Sequence, residues 1–134
     1  MEIAEIEAAF QKYASKLGLK EADEYLSFDR LDDGSPHVEI VNDKELHYVV
    51  TERGNELERR KTDSVDQLMY WLFSGIVFSI ALDYELNNRH PTNDFRRLLF
   101  AKEFELLETL NPQWRVYKEK EIVDILQKNP YKDG

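Results

Sequence analysis

The chain opens with Ile3, Ile6, Phe10, Tyr13 and Leu17, apolar positions three and four apart with Glu and Lys among them. That spacing lays one apolar stripe along a helix, predicted over residues 2–17, and Gly18 stands just past it as a stop. From Ala22 the period shortens. Tyr25, Leu26 and Phe28, then Val38, Ile40 and Val41, then Leu46, Tyr48 and Val50 fall in short segments divided by turn residues. Asp32-Asp33-Gly34-Ser35-Pro36 is expected as a loop, Asn42-Asp43 as a two-residue turn and Gly54-Asn55 as a type II′ hairpin turn. The pattern predicts an antiparallel meander over 24–61, of three or four strands, with one apolar and one wet face.

Thr62-Asp63-Ser64 then offers helix caps, and Ser64 with Gln67 has the spacing of a capping box. A helix is predicted over 64–89, apolar nearly all round between Leu68 and Leu82 as a central buried helix would be. Pro91 ends it, because the residue before proline avoids the helical region. Asn93 or Asp94 caps a helix over 94–110, with Phe95, Leu98, Leu99, Leu106, Leu107 and Leu110 as its stripe. Asn111 caps a last helix over 112–128, with Pro112 at its first position and Trp114, Ile122, Ile125 and Leu126 facing inward. The expected fold is therefore α+β in a single domain of 134 residues: an N-terminal helix, the meander, then three C-terminal helices packed on the sheet.

Composition narrows the function. With 42% hydrophobic and 34% charged residues the chain is globular, and the absence of cysteine excludes a disulfide framework, a thiol nucleophile and Cys-type metal centres. The formal net charge of −9 argues against direct nucleic-acid binding. Gln67–Leu82 is the longest uncharged stretch, short of the ~20 residues that span a bilayer, and Glu2, Glu5 and Glu7 stand where a signal peptide needs basic and apolar residues. A cytoplasmic protein with no membrane partner is expected.

The charge is segregated. Residues 21–58 hold twelve acidic residues and only three basic ones, Arg30, Lys44 and Arg53, while the rest of the chain is balanced. Asp29, Asp32, Asp33, Asp43, Glu45, Glu52, Glu56 and Glu58 are the candidates for contact with a basic partner. An ordinary solvated sheet edge accounts for the same residues without a partner.

Catalytic signatures are missing. His37, His47 and His90 have no zinc-helix spacing, and there is no dinucleotide fingerprint, P-loop or nucleophile elbow. No metal, no cofactor and no catalytic residue is expected, and the chain is not expected to be an enzyme. The densest constellation is Asp83, Glu85, Arg89, His90, Asp94, Arg96 and Arg97. Asp83 and Glu85, two apart on a helix, point to different faces, whereas Glu85 and Arg89 are four apart and can pair. With Arg96 or Arg97 reaching back to Asp83 or Glu85, the group is expected as a structural ion-pair network joining two helices.

Several runs together resemble the immunity protein 63 family. They are Arg53–Glu56, Asp66–Phe73, Phe78–Leu86, the Asp94-Phe95-Arg96-Arg97-Leu98-Leu99-Phe100 element, Leu106–Trp114 with its Asn111-Pro112-Gln113-Trp114, and Ile125–Tyr131. The resemblance covers roughly residues 45–131, in order. It implies a bacterial immunity protein that stays in the cytoplasm and neutralises the C-terminal domain of a cognate toxin by binding it. The acidic segment suits a toxin that acts on nucleic acid, such as a nuclease, whose basic cleft carboxylates can occupy in place of phosphates. The alternative is an acidic, nucleic-acid-mimicking adaptor or regulator of a host enzyme. Monomer and homodimer, the latter through a strand edge or a helix face, both remain open.

Overall fold

The computed structural model describes residues 1–134. In order these form α1 (Ile3–Lys16), a 3-10 turn (Ala22–Tyr25), β1 (Asp33–Val41), β2 (Glu45–Glu52), β3 (Asn55–Thr62), α2 (Val65–Asn87), α3 (Phe95–Leu110) and α4 (Pro112–Lys128). The architecture is α+β: an N-terminal helix, one antiparallel sheet in the order β1-β2-β3, and three C-terminal helices. Contacts gather into two compact units, Met1–Phe73 and Ser74–Gly134, divided within α2.

In the first unit α1 buries Ile6, Phe10 and Ala14 on one face. The Phe10 and Tyr13 rings lie 4.7 and 5.7 Å from that of Phe73. Gly18, at φ +69°, closes the helix: its N–H donates to Ser15 O and that of Leu19 to Ala14 O, both at 3.1 Å. This crossed pair satisfies two carbonyls the helix end would otherwise leave bare.

The meander has three strands. Tyr25, Leu26 and Phe28 do not form a further one, because Glu24 N–H and Leu26 N–H turn back to Glu21 O and Asp23 O at 3.0 and 3.4 Å. The segment meets β1 through a single backbone bond, Val38 N–H to Ser27 O at 2.8 Å. β1 begins at Asp33, inside the expected loop. Pro36 is accommodated there because β1 is an outer strand, and the register shifts between Asp33 and Pro36. The β2–β3 turn is centred on Arg53-Gly54, with φ of +51° and +83° and Glu52 paired to Asn55. Two successive positive φ angles make it type I′ rather than the expected type II′ on Gly54-Asn55, the twist of I′ matching that of the strands.

Both sheet faces carry buried residues. Val38 and Leu46 lie on one; His37, His47, Val49 and Thr51 lie on the other, which the sequence suggested would be wet. Ser64 caps α2 by accepting from Gln67 N–H at 3.1 Å, while Thr62 Oγ1 accepts from Ser64 N–H at 3.1 Å. Thr62 thus fills the role the capping box gives to the Gln67 side chain.

α2 runs for 23 residues, past the uncharged stretch to include Asp83 and Glu85, and is long and apolar enough to cross a membrane. Leu68, Met69, Tyr70, Leu72, Phe73, Val77 and Ala81 are buried, but only 39% of the apolar window is, and Phe78 is 45% exposed, so the helix is not buried nearly all round as the sequence suggested.

In the second unit Asp94 caps α3, accepting from Arg96 N–H at 2.9 Å, and Asn111 caps α4, accepting from Gln113 N–H at 3.0 Å. Ala81, Leu99, Phe100 and Ile122 form a core against which Leu82, Phe104, Leu126 and Tyr131 pack. Trp114 is fully buried, but Ile125, expected to face inward, is 43% exposed.

Candidate partner-binding surface

The acidic candidates all lie on the sheet and its loops, but strand register divides them. Asp33 pairs with Glu52, Glu52 with Asn55 and Thr51 with Glu56, so Asp32, Asp33, Glu52 and Glu56 gather at the hairpin end. Asp43 lies in the β1–β2 turn and Glu45 pairs with Val41, at the other end. Glu45 and Glu52 stand seven residue steps apart along β2, or about 23 Å at ~3.3 Å per residue. Glu58 pairs across from Val50, on the face opposite to His47 and Val49. Asp29 sits in the loop before β1, where its backbone exchanges bonds with the Ser27 hydroxyl at 2.9 and 3.1 Å.

Neighbours set how available each carboxylate is. Arg30 donates to Asp32 at 2.8 Å and holds its carboxyl below the usual range. Asp33 accepts from Ser35 N–H at 2.9 Å. Glu56 is paired with Arg59 at 2.7 Å, which lowers its pKa, and Glu58 with Arg60 at 2.5 Å. Asp29, Asp43 and Glu52 are exposed, and no salt bridge engages their carboxylates.

A ladder across the sheet joins residues the sequence left out of the candidate set. His37 Nε2 lies 2.8 Å from Glu39 Oε2, and Arg59 Nη1 donates to Glu39 Oε1 at 3.0 Å. Arg59 Nη1 also donates to His47 Nδ1 at 2.6 Å. That nitrogen must therefore accept, so the His47 proton sits on Nε2. Nε2 lies 3.0 Å from Glu45 Oε1, but out of line for a hydrogen bond, and is left unsatisfied. Hydrogen bonds from Arg59 first and His37 second bring the Glu39 pKa down to about 2. Glu56 and Glu39 together push that of Arg59 up. Alternation along β1 places His37 and Glu39 on one face; the partnership with Arg59 needs the cross-strand register, which composition does not give.

No group of three or more His, Asp or Glu is placed to hold a metal ion. The arrangement can present fixed, ionised carboxylates to cationic groups.

The constellation between α2 and α3 takes a different form from the one expected. Glu85, 1% exposed, is held by Arg89 through two bonds of 2.9 and 2.7 Å. Arg96 pairs with Asp94 at 2.8 Å and also donates to Asn129 O and Pro130 O, both at 2.9 Å. Arg97 pairs with Asp133 at 2.8 Å and lies 4.1 Å from the Tyr131 ring centre. Neither arginine reaches Asp83 or Glu85: the C-terminal residues supply a carboxylate, two carbonyls and an aromatic face, which satisfy both. The Asp83 side chain is exposed, and only its carbonyl is used, by Asn87 Nδ2 at 2.9 Å. His90 Nδ1 accepts from Thr92 N–H at 3.2 Å. A cleft of about 380 Å³ opens here, lined by Glu85, His90, Asn93, Phe95, Arg97 and Leu98 among others. Its Glu85 and Arg97 are committed to ion pairs with Arg89 and Asp133.

Searches of curated proteins and of solved structures find no match. The family model for immunity protein 63 matches residues 42–124, from the β1–β2 turn into α4. That is more than half of the sequence, and the chain belongs to the immunity protein 63 family.

Proposed function

We propose that this protein neutralises a bacterial toxin by binding its C-terminal domain in the cytoplasm of the producing cell, covering the toxin's active or substrate-binding surface. Family membership supports the toxin-binding role. The observation that carries the acidic-face reading is the gathering of Asp32, Asp33, Glu52 and Glu56 at the hairpin end of the sheet. Carboxylates gathered there complement a basic cleft, such as the phosphate-binding groove of a nuclease. They speed encounter and oppose like-charged partners. Binding, not catalysis, performs the role, and no cofactor enters it.

The test is co-expression of the toxin domain encoded beside this chain, with growth and co-purification as readouts. Rescue and a stable complex are expected, with affinity falling as salt rises. Toxicity without rescue contradicts the reading. Capture of a host nucleic-acid enzyme in place of the toxin would favour the adaptor role.

A further inference from the structure

β3 is joined to the sheet through β2 alone, which makes it an outer strand. Its eight residues are exposed or half-buried throughout, and Leu57 at 59% is the most exposed large apolar side chain of the protein. An outer strand turns backbone donors and acceptors outward, and charges commonly guard it against a second copy.

The guard here has an unusual order. The charged residues of β3 run Glu56, Glu58, Arg59, Arg60, Lys61, acids first and bases last. A strand so ordered complements itself when it meets its own copy antiparallel. Register then decides. A two-fold centred between residues would bring opposite sheet faces together, since a one-residue slip inverts every side chain. A centre on Glu58 sets Glu58 against Glu58, and its Glu56–Arg60 pair fails because the register shift after Val50 puts Glu56 on the Thr51 face and Arg60 on the Tyr48 face; a centre on Arg60 sets Arg60 against Arg60 and Arg59 against Lys61. A centre on Arg59 sets Glu58 opposite Arg60 of the copy, twice. The two Arg59 side chains then meet on the other face, where each is already held by Glu39 at 3.0 Å and Glu56 at 2.7 Å. In the single chain Arg60 lies 5.3 and 5.7 Å from the Tyr48 and Trp71 ring centres and pairs with its own Glu58 at 2.5 Å, so the dimer exchanges one ion pair within each chain for two between copies.

We infer that the occupant of this edge is a second copy of the chain, paired antiparallel through β3 about Arg59 to continue the sheet from three strands to six. About Arg59 only residues 56–62 of each copy face one another, a small interface, so the dimer is weak, with a dissociation constant of roughly tens of micromolar, and it loosens with salt.

Sedimentation velocity of the full chain, without toxin, tests this across concentrations bracketing that value. A monomer–dimer shift is expected at low salt. Arg60→Glu, which places Glu58 opposite a second acid, should weaken association by at least ~10-fold. The double exchange Glu58→Arg with Arg60→Glu should restore it, and thermal melts confirm that the variants fold. Amide exchange offers a second reading: protection of residues 57–61 should rise with concentration. A monomer at every concentration, or association indifferent to Arg60→Glu, overturns the inference. So does protection of β3 that appears only when a toxin domain is added to a monomeric chain. Because the sedimentation assay contains no toxin, its failure leaves the immunity role untouched.

Discussion

Arg59 Nη1 donates to His47 Nδ1 over 2.6 Å while holding Glu39 at 3.0 Å, so one guanidinium on β3 ties together side chains from all three strands. His47 is 7% exposed and Arg59 is itself half-buried, so water replaces these bonds poorly. Arg59→Ala leaves Glu39, Glu56 and His47 without their shared donor and should destabilise the fold by about 1–3 kcal/mol. Arg59→Lys keeps the charge but not the fork, and should recover only part of that loss. Urea unfolding at neutral pH checks both.

Two glutamates make opposite contributions to the pH profile. Glu39 has a folded pKa of about 2, below its ordinary 4.5, so it adds stability above 4.5 that is lost as pH falls from 4.5 to 2. Its side chain is 38% exposed, so solvent screening limits the gain to about 1 kcal/mol. Glu103 is 3% exposed and burial raises its pKa, with Lys118 opposing the shift and Glu121 adding to it. Its ionisation therefore costs stability progressively as pH rises above 4.5. Glu39→Gln should flatten the acid limb of the stability curve. Glu103→Gln should raise stability more at pH 7 than at pH 4. Chemical denaturation along a pH series separates them.

Arg53 occupies the left-handed region, at φ +51°, in the first central position of a type I′ turn. Asn and Gly adopt that conformation more readily than Arg. Arg53→Asn should stabilise by about 0.5–1 kcal/mol. Gly54→Ala, at φ +83°, should destabilise by a similar amount or more. Thermal melts of the two variants give the sign of each.

The C-terminal residues are bound rather than loose. Lys132 N–H donates to Asp94 Oδ2 at 2.9 Å, Asp94 N–H to Asp133 Oδ1 at 2.7 Å, and Tyr131 packs on the core of the second unit beneath Arg97. Tyr131→Ala should cost about 1–3 kcal/mol through lost burial and lost cation–π contact. Amide exchange at the start of α3 should rise in the same variant.

Helices were readable in the sequence because their signals are local. Ser64, Asp94 and Asn111 each cap at the position their side chain suggests. The strands were harder. Tyr25-Leu26 has strand-like composition, yet backbone bonds within Glu21–Leu26 close a turn instead. Arg53-Gly54 lacks the Asn-Gly signature of its turn type, so the turn signal in the sequence falls one residue late, on Gly54-Asn55. The acidic residues were visible by count, but their division between the two sheet ends depends on register. The destination of Arg96 and Arg97 depends on residues more than thirty positions away.

The most direct test of the central claim is the affinity of this chain for the toxin domain encoded beside it, measured with the wild-type sequence and with Asp32, Asp33, Glu52 and Glu56 reversed to Lys. The account predicts tight binding that protects cells, and a loss of at least ~100-fold on reversal, much of it in the association rate at low salt. No binding by the wild-type chain would contradict the immunity role itself. Binding unaffected by the reversal would remove the acidic hairpin end from the interface.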